Sequence, residues 1–346
     1  MTWMHIDGSS GEGGGQIVRS SLALSLITGR PVEIANIRAG RRRPGLMRQH
    51  RTAVQAATAI GAAEVDGDDV GSTHLRFRPT ALAGGDYTFS IGTAGSTILI
   101  VQTVILALLR ADRPSRVRIE GGTHNPFAPP FDYLDEVYLP LLHRMGAEVS
   151  LTLERPGFFP AGGGAVILEV TPCSALTPIE LLDRGEPREL EARIWLSGLP
   201  LSVAHREAKV LASRCPLERS AIEIRELSEP RGPGNAVHLI ARHGDGDGAV
   251  TELFTAFGEH GVSSEKVGGL VCDAWQDYVK AGMPVGPHLA DQLVLPLALA
   301  GGGGFRTSNP TQHTKTHIEV IERFLPVRVR ETKNGRHDHT LSIESN

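Results

Sequence analysis

Residues 20–40 read SSLALSLITGRPVEIANIRAG, and residues 43–65 read RPGLMRQHRTAVQAATAIGAAEV. This pattern predicts an apolar helix, a short strand, a glycine-containing turn, a second helix and another strand. The same order returns in residues 102–122, QTVILALLRADRPSRVRIEGG, and 125–149, NPFAPPFDYLDEVYLPLLHRMGAEV. Both copies close on nearly the same phrase, IGAAEV and MGAEV. A helix–strand unit that recurs along the chain predicts a repeated α/β core.

The spacing of the copies indicates an insertion. A third, shorter copy covers residues 291–329, and the first helices of the three copies are predicted to begin near Ser20, Gln102 and Asp291. The starts are therefore about 82 and about 189 residues apart, which leaves about 107 additional residues before the third copy if the repeat has one length.

Residues 184–280 account for this surplus, because they carry a strand, helix, strand, strand and helix pattern of their own. We therefore predict an α/β (α+β) fold with a core of three repeated β/α units and a small inserted α+β domain. Residues 1–183 hold the first two repeats and the start of the third, residues 184–280 form the inserted domain, and residues 281–346 complete the core.

Composition narrows the class of protein. The chain has 346 residues, 40% of them hydrophobic, and its three cysteines lie far apart without a CxxC spacing. This argues against a disulfide framework or a cysteine zinc site and fits a reducing cytosol. The longest apolar run, residues 97–109, is too short to span a bilayer, and the N-terminus lacks a signal-peptide pattern. We expect a soluble, cytoplasmic protein without a membrane partner.

Charge and glycine patterns leave two interpretations open. A net charge of −4 speaks against a broad nucleic-acid-coating surface, yet residues 37–51, IRAGRRRPGLMRQHR, contain six arginines. They form either a solvated charge run or a site for a few phosphates. Glycine-rich stretches at 8–20, 92–97, 158–164 and 300–305 are either tight turns or phosphate cradles. None of them matches a P-loop or a convincing dinucleotide-binding turn.

Six stretches carry a family resemblance: DGSSGEGGGQIVR, IRAGRRRPGLMRQH, GGTHNPFAPP, PGFFPAGGG, HLADQLVLPLALAG and QHTKTHIEVIERFLPV. In this order, from residue 7 to about residue 330, they resemble the RNA 3′-terminal phosphate cyclase family. The resemblance implies three repeats similar to those of enolpyruvyl transferases, and an insert similar to the C-terminal half of a bacterial translation initiation factor. It also implies ATP-dependent conversion of RNA 3′-phosphate ends to 2′,3′-cyclic phosphates, through a covalent histidine–AMP intermediate and an adenylylated RNA end.

The resemblance also assigns roles to residues of this chain. His313 aligns with the nucleophilic histidine, Glu12 is the candidate ligand of Mg²⁺ or Mn²⁺, and Arg19 and Arg41 match positions that hold RNA phosphates. Adenine is implied to lie between the side chain at 288 and a proline near 129. The implied ATP pocket is formed by Gln102, Pro129, His288, Leu289, Ala290, Asp291 and Gln292.

Two positions depart from the family pattern. His317 stands where members usually have asparagine, and His288 where they commonly have tyrosine. Histidine still donates a hydrogen bond or stacks on a base, but His288 offers less apolar area, so we expect weaker or pH-sensitive nucleotide binding.

Several alternatives remain at this stage. His313 and His317 could cap a helix or form a zinc pair with a third ligand, and Glu12 could be a solvated turn residue. The chain could be a non-catalytic cyclase-like factor for ribosome assembly, or an enolpyruvyl transferase. His313 argues against the first, and residues 184–280 argue against the second. The sequence leaves open whether the protein is a monomer or a homodimer. The histidines of the insert are expected at its surface: His205, His238 and His243.

Overall fold

The first two repeats share one order of elements in the computed structural model, which describes residues 2–345. The first repeat comprises β1 (Met4–Asp7), α1 (Gly15–Thr28), β2 (Val32–Ala35), α2 (Arg48–Gly61), β3 (Glu64–Asp66) and β4 (Leu75–Arg78). The second comprises β5 (Asp86–Ser90), α3 (Thr97–Leu108), β6 (Ser115–Gly121), α4 (Phe131–Tyr133), a π-helical turn (Leu134–Tyr138), α5 (Leu139–Arg144), β7 (Glu148–Arg155) and β8 (Gly164–Thr171).

Each repeat forms a four-stranded sheet with the same topology. The first sheet has the order β1-β2-β4-β3, and the second has the order β5-β6-β8-β7. In both, the first two strands are parallel and the remaining neighbours are antiparallel. A helix connects the two parallel strands, because parallel strands need a crossover connection.

The third repeat uses segments that are distant in sequence. It comprises β9 (Glu180–Leu181), α8 (Pro287–Ala300), β14 (Gly304–Thr307), α9 (Gln312–Phe324), β15 (Val327–Gly335) and β16 (Asp338–Ser345). Its sheet runs β9-β14-β16-β15, again with one parallel pair followed by antiparallel pairs. The predicted core of three repeated β/α units is confirmed, and the long connection from β9 to α8 contains the insert.

The inserted segment forms a sheet and a hydrophobic cluster of its own. It contains β10 (Pro187–Ser197), α6 (Ser202–Arg214), β11 (Ile222–Glu226), β12 (Gly234–His243), β13 (Val250–Phe257) and α7 (Ser264–Ala281), with the sheet order β11-β10-β12-β13. Strand β13 was missed from the sequence because Thr251, Glu252 and Thr255 interrupt its apolar pattern. The domain boundaries at 184 and 280 stay predictions.

Two histidines of the insert are buried, which contradicts the sequence expectation. His205 is exposed on α6, but His238 is 0% exposed and His243 is 5% exposed. Both belong to β12, which has neighbouring strands on both sides and packs against α7. The two cysteines of this domain also meet in space, since the Sγ atoms of Cys215 and Cys272 are 3.3 Å apart as free thiols.

The helices begin earlier than the apolar pattern indicated. The first helices of the repeats start at Gly15, Thr97 and Pro287 rather than near Ser20, Gln102 and Asp291. Helix α9 starts at Gln312, because the Thr311 hydroxyl accepts a hydrogen bond from Thr314 N and caps the helix. The first turns of α1, α8 and α9 contain glycine, proline or polar residues, which interrupt the apolar period there.

The hydrophobic core positions the first turns of three helices next to one another. Helix α1 packs against α3 and α9, and α8 packs against α9. Leu22, Val104 and Leu293 are fully buried in this one cluster. Residues near the amino ends of α1, α8 and α9 therefore meet, although they lie almost 300 positions apart. Within residues 2–345, no helix combines the length and apolar character needed to cross a bilayer.

Replacing Gly157 with alanine is expected to destabilise the second repeat. Gly157 lies in the PGFFPAGGG stretch between β7 and β8, where an added Cβ would overlap the backbone nitrogen of Gly164. Backbone atoms cannot move away as a flexible side chain can, so we expect a loss of about 1–3 kcal/mol in the free energy of unfolding. Urea unfolding measures it. Gly248→Ala is the control, since a Cβ there meets no atom within 4 Å; equal stability of the two variants would contradict the expectation.

Candidate active site

His313 lies in the first turn of α9 and is connected to two other helices. Its Nδ1 is 2.9 Å from Oε1 of Gln16 on α1, and Gln16 Nε2 donates a 2.6 Å hydrogen bond to Oδ1 of Asp291 on α8. The His313 side chain is 53% exposed, whereas Gln16 is buried. The result is a chain of hydrogen bonds, His313–Gln16–Asp291, with a solvent-accessible imidazole at its end.

This chain of hydrogen bonds fixes the tautomer of His313. An ionised carboxylate only accepts hydrogen bonds, so Asp291 requires the amide nitrogen of Gln16, and Gln16 Oε1 must face His313. His313 Nδ1 then carries the proton, because Oε1 is an acceptor. The lone pair is left on Nε2, which lies 3.7 Å from Glu12 Oε1. Nε2 is thus an accessible nucleophilic nitrogen.

Asp291 is held in its ionised form. Burial opposes its ionisation, but the hydrogen bonds and charge of His317, together with Gln16, hold the pKa of Asp291 below its usual value. His317 Nδ1 is 2.9 Å from the backbone oxygen of Asp291 and 3.4 Å from Oδ1. His317 is buried, so its role is to support Asp291 rather than to face solvent.

Glu12 and Arg41 form an ion pair beside His313. The Arg41 guanidinium contacts Glu12 Oε1 and donates a hydrogen bond to the Glu12 backbone oxygen at 3.1 Å. The Glu12 amide donates to Thr316 Oγ1 at 3.1 Å, which connects the glycine-rich loop before α1 to α9. Sequence reasoning proposed Glu12 and Arg41 separately; the structure places them in direct contact next to the imidazole.

A cavity between α1, α3 and α8 contains several of the predicted nucleotide residues. It is lined by Arg19, Gln102, Tyr138, Asp291, Gln292 and His317, among others. Burial lowers the pKa of Arg19 to about 10, so this side chain is still cationic at neutral pH. The Gln292 Oε1 atom is buried without a hydrogen-bond partner among residues 2–345. The cavity thus combines the Arg19 cation and the Asp291 carboxylate with the side-chain amides of Gln16, Gln102 and Gln292.

Four predicted residues are not among those lining this cavity. Leu289 and Ala290 are buried in the hydrophobic core, while His288 is exposed at the first turn of α8. Pro129 lies in the loop before α4, which borders a second cavity. The assignment of these residues to an adenine site stays a prediction.

The second cavity joins three loops that the sequence showed only as separate stretches. It is lined by residues 93–96, 125–128 and 159–160, together with Gln49. Phe127 and Phe159 are 101% and 60% exposed beside it. Sequence reasoning missed this cavity and also missed Gln16. The available signal was that Gln16 and the cavity residues 49, 125–128 and 159–160 lie in stretches shared with the resembled family.

His50 is a buried neutral histidine next to the site. It is 5% exposed, and its Nδ1 accepts a 3.0 Å hydrogen bond from the Met47 amide. Burial, and secondly the charges of Arg19 and Arg38, lower the pKa of His50 to about 3. The folded protein therefore resists protonation of His50, while the unfolded chain accepts a proton near pH 6.5.

A pH-dependent loss of stability follows from this burial. A folded-state pKa below the unfolded value favours the folded state above pH 6.5, and this contribution is lost as the pH falls towards about 3. Between pH 7 and pH 5, His50 lowers the free energy of unfolding by at most about 2 kcal/mol. His50→Gln is expected to make the free energy of unfolding depend less on pH, because glutamine is neutral and suits this capping position. Urea unfolding at pH 7 and pH 5 measures the free energy of unfolding of wild type and variant. An equal change between the two pH values in both proteins would show that His50 does not titrate on unfolding.

The chain matches known proteins over nearly its whole length. A family model described as RNA 3′-terminal phosphate cyclase matches residues 10–330. The RNA 3′-terminal phosphate cyclase of Ectopseudomonas mendocina (strain ymp) is 48% identical over 327 residues, 94% of each chain. That of Ralstonia nicotianae (strain ATCC BAA-1114 / GMI1000) is 50% identical over 94% of this chain and 92% of its own. That of Koribacter versatilis (strain Ellin345) is 47% identical over 93% and 90%.

Among solved structures, the enolpyruvyl transferase NikO from Streptomyces tendae matches with 10% identity and a TM-score of 0.36. The match covers 99% of this chain but only 48% of that one. This likeness is too weak to support a conclusion about fold or function.

Proposed function

Because the chain belongs to the RNA 3′-terminal phosphate cyclase family, we propose that it converts RNA 3′-phosphate ends to 2′,3′-cyclic phosphates with ATP as co-substrate. His313 is the nucleophile. The observation that carries this proposal is the hydrogen-bond chain from Asp291 through Gln16, which leaves the Nε2 lone pair of His313 exposed.

The reaction proceeds in three displacements. His313 Nε2 attacks the α-phosphorus of ATP, a nitrogen–phosphorus bond forms and pyrophosphate leaves. An oxygen of the RNA 3′-phosphate then attacks that phosphorus, which transfers AMP to the RNA and restores His313. The 2′-hydroxyl finally attacks the 3′-phosphorus, AMP leaves and the hydroxyl proton passes to solvent. The covalent step is useful because two anions, the RNA phosphate and the triphosphate, repel each other.

The surrounding side chains supply binding and charge. Arg19 lines the cavity and Arg41 pairs with Glu12 beside His313, and guanidinium groups suit phosphate contact. The amides of Gln102 and Gln292 line the same cavity, and the unpaired Gln292 Oε1 is available to a donor on the nucleotide. We assign ATP to this cavity. We assign the RNA 3′ end to the side of His313 where Arg41 lies.

Glu12 fits the role of the divalent-ion ligand. Mg²⁺ or Mn²⁺ bound to a triphosphate commonly takes one or two protein carboxylates and completes its shell with phosphates and water. Glu12 offers one carboxylate beside His313, once Arg41 turns from it towards a phosphate. Such an ion would neutralise charge on the triphosphate as pyrophosphate leaves.

The test is covalent labelling without RNA. The purified protein is mixed with ATP labelled at the α-phosphate and with Mg²⁺, denatured, and analysed for label on the polypeptide. A label that is lost in acid and kept in alkali is expected for a histidine phosphoramidate. Absence of label from a folded protein that binds ATP would overturn the nucleophile assignment and favour the non-catalytic binding factor.

A further inference from the structure

A compact group of ligand-type side chains lies where the second repeat meets the inserted domain. His124 follows β6, Asp132 lies in α4, and His238 lies in β12 of the insert. One ligand atom from each of the three lies within 4.8 Å of the others, and all three side chains are buried. None of them belongs to the site around His313.

Neighbouring groups orient two of these side chains. His124 Nδ1 is 2.8 Å from Thr123 Oγ1, and its Nε2 is 2.8 Å from Asp132 Oδ2. Asp132 Oδ1 accepts hydrogen bonds from Arg193 at 2.6 Å and from Trp195 Nε1 at 3.4 Å. His124 Nε2 and Asp132 Oδ2 are thereby directed to one point, as outer partners direct metal ligands.

His238 is the unexplained member of this group. It is 0% exposed, yet neither ring nitrogen makes a hydrogen bond with any part of residues 2–345. Its Nε2 lies 3.5 Å from Asp132 Oδ2, and its ring stacks on His124 with centroids 5.9 Å apart. A buried imidazole with two unpaired nitrogens loses its hydration without compensation, so it calls for a bound partner.

The charges around the group favour a divalent cation. Arg193, Arg225 and Arg242 form ion pairs in this region with five carboxylates: Asp132, Glu136, Glu189, Glu191 and Glu223. Three positive and five negative charges leave a surplus of two negative charges when the histidines are neutral.

We propose that His124 Nε2, His238 Nε2 and Asp132 Oδ2 bind one Zn²⁺ ion, which joins the inserted domain to the second repeat. Two imidazoles and one carboxylate suit zinc, whereas Mg²⁺ and Ca²⁺ prefer oxygen ligands throughout. Three protein ligands leave one position of a tetrahedral site for water. The ion replaces the His124–Asp132 hydrogen bond, and the His124 proton moves to Nδ1, where Thr123 Oγ1 accepts it.

The test measures metal content and does not depend on cyclase activity. Full-length protein is freed of metal with a chelator, then exposed to Zn²⁺ or Co²⁺ and passed through a desalting column. We expect one tightly held ion per chain, the visible absorption of four-coordinate Co²⁺, and a melting temperature raised by several degrees. An excess of Mg²⁺ should displace neither ion.

His238→Ala and His238→Gln should lose the bound ion and the Co²⁺ spectrum while staying folded by circular dichroism. His260→Ala is the matched control, because His260 is an exposed histidine of the same domain. Failure to retain zinc, or equal retention by the His238 variants and wild type, would overturn the proposal. If both His238 variants fail to fold, His124→Gln takes their place with the same two outcomes.

Discussion

Replacing His313 with alanine is expected to remove covalent labelling by ATP and to lower RNA cyclisation by at least about 10⁴-fold, as for the loss of a nucleophile in other enzymes. No other imidazole in residues 2–345 pairs with Gln16, so no neighbour is positioned to take its place. The His313 side chain is 53% exposed and its removal leaves only one hydrogen bond of Gln16 unmade, so the fold should persist. Label on the protein and cyclic phosphate on a 3′-phosphorylated oligonucleotide are the two measurements.

A matched variant separates loss of the nucleophile from loss of a histidine in general. His260→Ala removes an exposed histidine of the inserted domain and should keep both covalent labelling and RNA cyclisation. RNA that has been adenylylated at its 3′-phosphate by chemical means should still be cyclised by His313→Ala, because the last displacement does not use Nε2. Retention of label on His313→Ala would place the nucleophile elsewhere.

The repeat could be predicted from the sequence because it depends on local pattern, and the proposal of His313 as nucleophile depends on local pattern as well. Helix–strand alternation recurs with nearly identical closing phrases, and His313 lies within a long matched stretch. Gln16 could not be found in this way. Its function depends on which amide atom faces His313, and that is decided by Asp291, which lies 275 positions along the chain.

The burial of histidines in the insert needed knowledge of strand order. From sequence, residues 234–243 are a strand with a histidine near its middle and one at its end. Only the sheet order places this strand between two others and next to α4, which brings His238 to Asp132.

For Leu289 and Ala290, the helical period alone decides that the side chains point into the core while Asp291 and Gln292 face the cavity.

Replacing Asp291 with asparagine is expected to slow formation of the histidine–AMP bond by about 10²–10⁴-fold. This is comparable to the effect in other enzymes of a mutation that puts an essential histidine into the wrong tautomer. Asparagine has nearly the same shape, but its amide can donate to Gln16 Oε1. The Gln16 amide is then free to rotate so that Nε2 faces His313 Nδ1. Nδ1 becomes the acceptor, the proton moves to Nε2, and the attacking lone pair is lost.

Rapid-quench labelling over a range of ATP concentrations tests this argument, because it separates the maximal rate from the half-saturating concentration. We expect the maximal rate to fall and the half-saturating ATP concentration to change little. Nitrogen-15 spectra of the imidazole should show the shift from the Nδ1–H to the Nε2–H form. Asp273→Asn, on the surface of α7 beside Arg214, is the matched control. If instead the half-saturating concentration rises while the maximal rate is kept, Asp291 acts by holding ATP, and the tautomer of His313 is fixed by another group.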